Sequence, residues 1–383
     1  MPGLLPDIDP EGLLEFSVVY TDRALNHMSR RFQRVMTDIS AILKEVYQAD
    51  ATAIVPGSGS FGMEAVARQF ANGQKVLVLR NGFFSFRWSQ ILEMGQITAP
   101  ASITVLKARR AATGGSQAPW TPAPIEEVLA AIAREKPAVV FAPHVETASG
   151  MMLPDAYMRQ IAQATHAAGD GLFVLDCIAS GAMWVDMKAI GVDVLLSAPQ
   201  KGWSSAPGCA MVCLSARARQ ALEDTASSSF SCDLRKWWQI MQAYESGGHA
   251  YHATMPTMAL LNLREAMQQT RQRGFAKVRE QQIELGRKVR QLFEARGLPS
   301  VAAQGFQAPG VVVSYTGDPD IQNASAFAAQ GLQTASGVAL MCDEPADFRT
   351  FRVGLFGLDK WANVDRCVHQ LQTALDHMGL KAK

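Results

Sequence analysis

Apolar residues between positions 50 and 215 form short continuous runs, and amphipathic stretches separate these runs. Because the runs do not alternate with polar residues, they are typical of strands in a sheet that is covered on both faces. The stretches between them carry apolar residues at helical spacing and often end near Gly or Pro. The clearest runs are 76–79, 138–141, 172–175, 194–196 and 210–212. The pattern predicts an α/β fold with a largely parallel sheet.

The C-terminal part of the chain has a different pattern. Residues 260–296 form a basic, Gln-rich helical stretch, and residues 310–315 and 351–354 have the composition of strands separated by a helix. We see no Ser/Gly linker, low-complexity tract or internal repeat. We therefore predict a large domain with an N-terminal arm over residues 1–260 and a smaller α+β domain over residues 261–383, with the boundary inside the long helix.

The charge of the chain limits its partners. Lys and Arg total 36 against 35 Asp and Glu, so a net charge of +1 provides no field that would gather nucleic acid or an anionic membrane surface. No apolar run approaches the roughly 18 residues expected of a membrane span. We therefore expect small-molecule substrates, with neither nucleic acid nor membrane as a partner.

The cysteines and the first residues bear on location. Six cysteines without a CxxC pair favour a reducing compartment. Residues 1–10 contain two acids and three prolines, unlike the basic and apolar regions of an export signal. We expect a cytoplasmic protein. No cluster of His, Cys and Asp has the spacing of metal ligands, so we also predict no metal site.

A segment rich in small residues follows the first apolar run and opens a helical pattern. Residues 56–65 read Pro-Gly-Ser-Gly-Ser-Phe-Gly-Met-Glu-Ala, with Ser58, Gly59 and Ser60 at the turn. The free N–H groups and the dipole at such a helix start favour a phosphate dianion. An ordinary turn with a Ser N-cap is an equally good interpretation of this segment alone.

Two charged residues follow neighbouring apolar runs. Asp176 ends the run 172–175, and Lys201 comes shortly after the run 194–196. Ligands bind at the carboxyl edge of an open parallel sheet. There Asp176 would hold a protonated pyridinium nitrogen, and Lys201 would form a Schiff base with a cofactor aldehyde, as pyridoxal phosphate requires. Taken singly, Asp176 is better explained as a strand cap and Lys201 as a solvated lysine.

Further motifs are similar to those of a known family. They are Asn-Gly-Phe-Phe at 81–84, His-Val-Glu-Thr at 144–147, Gln-Lys at 200–201, Tyr-His-Ala-Thr-Met-Pro at 251–256 and Phe-Arg-Val-Gly at 351–354. From about residue 30 to its C-terminus the chain resembles the class V aminotransferases, which have the fold type I of pyridoxal-phosphate-dependent transferases. Within them it is most similar to the alanine–glyoxylate and serine–glyoxylate branch.

The resemblance implies a role for each matching residue. The backbone of the phosphate loop binds the cofactor phosphate, an aromatic ring covers the cofactor, and an arginine grips the substrate carboxylate. The implied cofactor-binding residues are Ser58, Gly59, Ser60, Phe84, Thr147, Asp176, Gln200, Lys201, Tyr251 and Thr254, and the implied substrate-binding residue is Arg352. Lys201 and Asp176 are the implied catalytic residues. Tyr251 and Thr254 are expected to reach the partner's site, which implies a homodimer with shared active sites.

The implied activity is transfer of an amino group from a small L-amino acid, of the alanine or serine type, to a small 2-oxo acid such as glyoxylate or pyruvate. It implies a ping-pong mechanism through pyridoxamine phosphate. Residues 16–23 depart from the Pro-Gly-Pro turn of many relatives, so the identity of donor and acceptor stays open.

Two other functions are compatible with the same fold. A cysteine desulfurase, or another lyase of this fold, would use a nucleophilic thiol, for which Cys342 is the candidate. The neighbouring Asp343 and Glu344 disfavour its thiolate. A non-catalytic protein that binds pyridoxal phosphate is the second alternative. Such proteins typically carry a DNA-binding domain, for which we expect the 57 residues before Ser58 to be too few, and the intact set of Asp176, Lys201 and Arg352 also argues against this alternative.

Overall fold

A computed structural model describes residues 8–10, 12–113 and 115–382. Most of residues 1–10, on which the prediction of no export signal depends, lie outside the described residues. Within the described part, no helix is long and apolar enough to cross a membrane.

The strands are short, and the longest have six residues. In chain order they are β1 (Ala51–Pro56), β2 (Val76–Arg80), β3 (Ile103–Lys107), β4 (Arg109–Arg110), β5 (Trp120–Thr121), β6 (Val139–Pro143), β7 (Val145–Glu146), β8 (Met151–Met152), β9 (Leu172–Asp176), β10 (Val194–Ser197), β11 (Cys209–Leu214), β12 (Val311–Tyr315), β13 (Ala335–Ser336) and β14 (Thr350–Gly354).

The helices lie between most of these strands and at the C-terminal end of the chain. They are α1 (Arg30–Tyr47), α2 (Gly59–Phe70), α3 (Phe83–Met94), α4 (Ile125–Glu135), α5 (Asp155–Ala168), α6 (Met187–Ile190), α7 (Ala216–Asp224), α8 (Leu234–Glu245), α9 (Thr257–Arg273), α10 (Phe275–Glu294), α11 (Pro319–Gln322), α12 (Ser325–Ala329), α13 (Leu358–Ala362) and α14 (Val364–His377). Short 3-10 helices lie at Pro100–Ser102 and Gly115–Gln117.

The main sheet has seven strands in the order β1-β11-β10-β9-β6-β2-β3. Strand β11 runs antiparallel to both neighbours, β1 and β10, and the remaining pairs are parallel. The prediction of a largely parallel α/β sheet is confirmed. Because β1, β2, β6, β9 and β10 all run in the same direction, the loops that follow them meet at one edge of the sheet.

Continuous apolar runs become fully buried strands. Every residue of β2, β6, β9 and β10 is buried. Helix α2 packs closely on the sheet because Gly62 has no side chain, and an added Cβ would collide with Ala210 of β11. Close packing at this point fixes the N-terminal end of α2, where the predicted phosphate loop lies.

The C-terminal part contains a second, antiparallel sheet in the order β12-β14-β13. The helical stretch predicted over 260–296 is divided into α9 and α10, since Gly274 lies between them with a φ of 94° that favours glycine. A second hydrophobic cluster joins Val278, Leu285 and Val289 of α10 to this sheet and to α14. The division into residues 1–260 and 261–383 stays a prediction.

Candidate active site

The sequence-predicted residues Asp176 and Lys201 lie at the carboxyl edge of the main sheet. Asp176 is the last residue of β9, and Lys201 lies four positions after the end of β10, next to it in the sheet. The phosphate loop follows β1, and residues 81–84 follow β2. A parallel sheet therefore brings together segments that are far apart in the sequence.

The predicted phosphate loop starts helix α2. Gly57 has a φ of 118°, and its N–H donates to the carbonyl of Gly208 at 2.9 Å, which ties the loop to the chain before β11. Ser58 is the extended N-cap residue, and its side chain makes no capping hydrogen bond. An added Cβ at Gly59 would lie 2.7 Å from Ile178. The first N–H groups of α2 are therefore free of helical partners and closely approached by the loop after Asp176.

Asp176 is a buried carboxylate. Its Oδ1 accepts the N–H of Ile178 at 2.9 Å. Burial, together with a smaller effect of the nearby Glu146, raises the pKa of Asp176 to about 7, although the Ile178 hydrogen bond, Arg87 and Lys201 lower it. A positively charged ligand nitrogen would counter the cost of ionising this group.

Lys201 lies in a tight turn. An added Cβ at Gly202 would collide with the carbonyl oxygen of Gly181, so this position accepts no side chain without a backbone shift. The Lys201 Nζ lies 5.3 Å from the centre of the Phe356 ring. Burial lowers the pKa of Lys201, and Arg352 lowers it further. A lowered pKa increases the fraction of neutral amine, which is the nucleophilic form.

Phe84 is held at the start of α3 by Glu146. The Glu146 carboxylate accepts the N–H groups of Phe84 at 3.2 Å and Ser85 at 2.8 Å, and also the N–H of Ala148 at 2.9 Å. The Ser85 hydroxyl donates to the same carboxylate at 2.7 Å. This carboxylate satisfies free N–H groups at the helix N-terminus. It thereby fixes Phe84 relative to the loop after β6.

Arg352 lies in the central strand of the small sheet, β14, and reaches the same site. Its guanidinium carbon lies 5.4 Å from the centre of the Phe84 ring. Its Nε donates to the carbonyl of Ser336 at 2.8 Å, which fixes the side chain. Burial lowers the pKa of Arg352. No hydrogen bond from the described residues occupies Nη1 or Nη2, so these groups are free to bind a carboxylate.

The remaining predicted residues lie in different surroundings. Thr147 is buried directly after Glu146, whereas Gln200 is exposed. The Tyr251 and Thr254 hydroxyls share a hydrogen bond of 3.2 Å, and Tyr251 is 53% exposed. Tyr251 packs against His27 rather than against Lys201, with ring centres 5.5 Å apart. The single chain therefore does not join Tyr251 and Thr254 to the Asp176–Lys201 group.

A family model described as aminotransferase class-V matches residues 14–338. The chain belongs to the class-V aminotransferases. This agrees with the resemblance inferred from the motifs, and it confirms a pyridoxal-phosphate-dependent aminotransferase of fold type I.

Individual relatives are distant. The class-V aminotransferase is 29% identical over 246 residues to the L-aspartate–glyoxylate aminotransferase of Paracoccus denitrificans, which covers 62% of this chain and 57% of that protein. It is 24% identical over 362 residues to the soluble hydrogenase small subunit of Synechococcus sp., covering 93% of this chain and 88% of that protein. The solved alanine–glyoxylate aminotransferase of Nostoc sp. has the same fold, with a TM-score of 0.76 at 23% identity over 92% of this chain and 89% of that one.

The residues at the sheet edge fit pyridoxal phosphate. The free N–H groups of α2 suit a phosphate, the buried Asp176 suits a ring nitrogen, and the amine of Lys201 suits an aldehyde. Glycines 59 and 202 keep the backbone open where side chains would collide with the chain around 178–181. Among the described residues, no group of three or more His, Cys, Asp or Glu side chains could hold a metal ion.

Cys342 lacks the properties of a desulfurase nucleophile. It is 4% exposed, and its thiol donates to the carbonyl of Arg80 at 3.3 Å. Burial raises the pKa of Cys342 to about 12, so the thiol stays protonated near neutral pH. No observation at this residue favours the desulfurase alternative.

Sequence reasoning assigned no role to three residues of the site. Glu146 was part of a matched motif but was not given the helix-capping contact that it makes. Arg87 follows Phe84 by three residues, so helical spacing places both on one face and was a usable signal. Phe356 comes from the small sheet's end, and its contact with Lys201 depends on tertiary packing.

The raised pKa of Asp176 has a measurable consequence for the protein without cofactor. Between the ordinary value of 3.8 and about 7, the folded state keeps a proton that the unfolded chain has lost. The contribution of Asp176 to the free energy of unfolding therefore falls as pH rises through this window.

We expect Asp176→Asn to remove this dependence. Relative to the unsubstituted protein, the variant should gain stability as pH rises from about 4 to about 7, and the difference should then level off. Urea unfolding of both cofactor-free proteins across this pH range measures the difference in their free energies of unfolding. A difference that stays constant with pH would contradict the assignment.

Proposed function

We propose that this protein transfers an amino group from a small L-amino acid, of the alanine or serine type, to a small 2-oxo acid such as glyoxylate or pyruvate. The observation that carries the proposal is that Asp176 and Lys201 lie at one edge of the sheet, where Arg352 is close enough to lower the pKa of Lys201 and its guanidinium lies over the Phe84 ring. These residues supply a partner for the ring nitrogen, a cofactor-binding amine and a carboxylate receptor, which are the three contacts that this reaction needs.

The cofactor, when bound, supplies a ring that takes up the electrons released at the substrate α-carbon. Asp176 would hold the proton on the ring nitrogen, and the N–H groups of Ser58, Gly59 and Ser60 would bind the phosphate. Phe84 would cover one face of the ring. Lys201 would hold the cofactor through its amine, and the free amine would move the proton at the substrate α-carbon.

The position of Arg352 supports an α-carboxylate as the common feature of donor and acceptor. Its guanidinium is fixed by Ser336 and lies over the ring that would cover the cofactor. A planar guanidinium binds a carboxylate through two parallel hydrogen bonds, so it orients the α-carbon as well as attracting it. Glyoxylate as the acceptor is supported by the activity named for the Paracoccus relative.

We further propose a homodimer with shared active sites, in the cytoplasm. Tyr251 is half exposed, and Phe61, which follows the phosphate loop, is 52% exposed. Phe16 and Val18 of the N-terminal arm are almost fully exposed. Exposed apolar side chains such as these support an interface with a second copy of the chain. Six free, buried cysteines support a reducing compartment.

Replacing the proposed cofactor lysine tests the core of the function. We expect Lys201→Ala to abolish the visible absorbance of lysine-bound cofactor, because the substitution removes the amine that would bond the cofactor aldehyde. The control is Lys188→Ala, which removes an exposed lysine paired with Asp50 at 2.9 Å and should leave the absorbance intact. In the unsubstituted protein, L-alanine, L-serine and L-aspartate are added without a 2-oxo acid, and conversion of the cofactor to its amine form is followed. Failure of all three donors would contradict an aminotransferase with these substrates.

Replacing Arg352 tests the substrate-binding contact. We expect Arg352→Ala to raise the KM for the amino donor about 10- to 100-fold, since charged hydrogen bonds to the carboxylate are lost. The cofactor absorbance should be unchanged. Arg352→Lys should recover only part of the loss because lysine lacks the planar fork. Arg349→Ala, an exposed position just before β14, is the control. Loss of cofactor in Arg352→Ala would assign this residue a structural role instead.

Hybrid dimers test whether Tyr251 and Thr254 act across the interface. One chain carries Lys201→Ala, and the other carries Tyr251→Ala with Thr254→Ala. If the sites are shared, the hybrid has one site with every group intact and should bind cofactor tightly at half of its sites. If both hydroxyls act within their own chain, the hybrid has no intact site and binds as weakly as the double variant.

A further inference from the structure

Arg87 lies at the active site, although no role was predicted for it. It is in the second turn of α3, and its Nη1 donates to the Ser60 hydroxyl at 2.9 Å. Its guanidinium carbon lies 5.2 Å from the centre of the Phe84 ring. The side chain therefore connects the phosphate loop at the start of α2 with the ring that would cover the cofactor.

The charge of Arg87 is not neutralised by an acidic neighbour. Other arginines near the protein surface form ion pairs, such as Arg68 with Glu64 at 2.7 Å and Arg264 with Asp38 at 2.7 Å. Within the part of the chain that the structure describes, no carboxylate forms an ion pair with Arg87. A partly buried guanidinium that hydrogen-bonds a neutral hydroxyl leaves its charge available for an anion.

The position of this charge is well defined by its neighbours. Arg87 lies close enough to Asp176 to lower the pKa of that carboxyl, and close enough to Lys201 to lower the pKa of that amine. Phe84 has Arg87 at 5.2 Å and Arg352 at 5.4 Å from its ring centre. Arg352 is the proposed receptor for the substrate carboxylate, whereas Arg87 is bonded to the phosphate loop. The two guanidiniums thus suit two different anions.

A phosphate dianion at this loop needs more charge than the helix supplies. The N-terminus of a helix carries the equivalent of about half an elementary positive charge. Residues 57–62 contain no lysine or arginine. Arg87 is the guanidinium that hydrogen-bonds this loop, so it can provide the missing positive charge.

The hydrogen bond between Arg87 and Ser60 also sets the direction of the Ser60 hydroxyl. A serine hydroxyl has one proton to donate, and its oxygen accepts from Nη1 of Arg87. Its proton is therefore left to donate to a phosphate oxygen. Arg87 then acts on the phosphate through its own charge and through the orientation of Ser60.

We propose that Arg87 is a binding residue for the phosphate group of the cofactor, together with the hydroxyl of Ser60. The proposal rests on the proposed function, because it takes the loop 58–60 as the phosphate site. It predicts that Arg87 discriminates between pyridoxal phosphate and pyridoxal, which has the same ring and aldehyde but no phosphate.

The test compares binding of the two compounds to cofactor-free full-length protein, by absorbance titration. We expect Arg87→Gln to weaken pyridoxal phosphate about 10- to 100-fold, the usual effect of losing a charged hydrogen bond, and to leave pyridoxal unchanged. Arg87→Lys should recover part of the loss because it restores the charge without the fork. Ser60→Ala should give a smaller loss that is again confined to the phosphate compound.

Arg68→Gln is the matched control. Arg68 lies in the same surface groove between α2 and α3 but is paired with Glu64, so its removal should change neither affinity. Equal weakening of both compounds by Arg87→Gln would mean a purely structural role and would overturn the proposal, as would unchanged affinity for pyridoxal phosphate. Should Arg87→Gln fold poorly, the comparison of the two compounds in Arg87→Lys and Ser60→Ala decides. A protein that attaches neither compound to Lys201 would instead contradict the proposed function.

Discussion

The parallel pairing of β9 with its two neighbours is the constraint on which the active site depends. Asp176 pairs with Leu196 of β10 on one side and with Pro143 of β6 on the other. This pairing places the carboxyl ends of β6, β9 and β10 side by side. The Asp176 carboxylate, the Lys201 amine and Glu146, which caps α3, therefore all lie at the same edge of the sheet. A slip of one residue in β9 would turn Asp176 to the opposite face of the sheet.

The same edge concentrates charged groups in a region of low hydration. Burial raises the pKa of Asp176 and lowers the pKa of Lys201, so each group is shifted toward its neutral form. Arg352 remains a cation there because the intrinsic pKa of a guanidinium is high. A protonated ring nitrogen of a ligand would stabilise the ionised form of the buried Asp176. Anionic groups of the same ligand would reduce the repulsion between Lys201 and Arg352. Binding and catalysis therefore draw on the same electrostatic arrangement.

Phe84 is contacted from both parts of the structure. Glu146 fixes it by accepting N–H groups at the start of α3, and the carboxylate is itself carried by β7, directly after β6. Arg352 of the small sheet reaches the same ring. Through this ring the orientation of the small sheet affects the cofactor site, and a movement of β14 relative to the main sheet would change the distance between the substrate carboxylate and Lys201.

The sequence by itself determined the type of fold, because continuous apolar runs separated by amphipathic stretches define buried strands that alternate with helices. It also determined the identity of the central pair, since Asp176 and Lys201 follow two such runs and carry the chemistry that pyridoxal phosphate needs. Only the tertiary structure decided where a long helical stretch breaks, because Gly274 fits a helix interior as well as a break when read alone. Only the tertiary structure also revealed the contacts of Arg87 with Ser60 and of Arg352 with Phe84, because these contacts depend on the packing of helices and sheets that are distant in sequence.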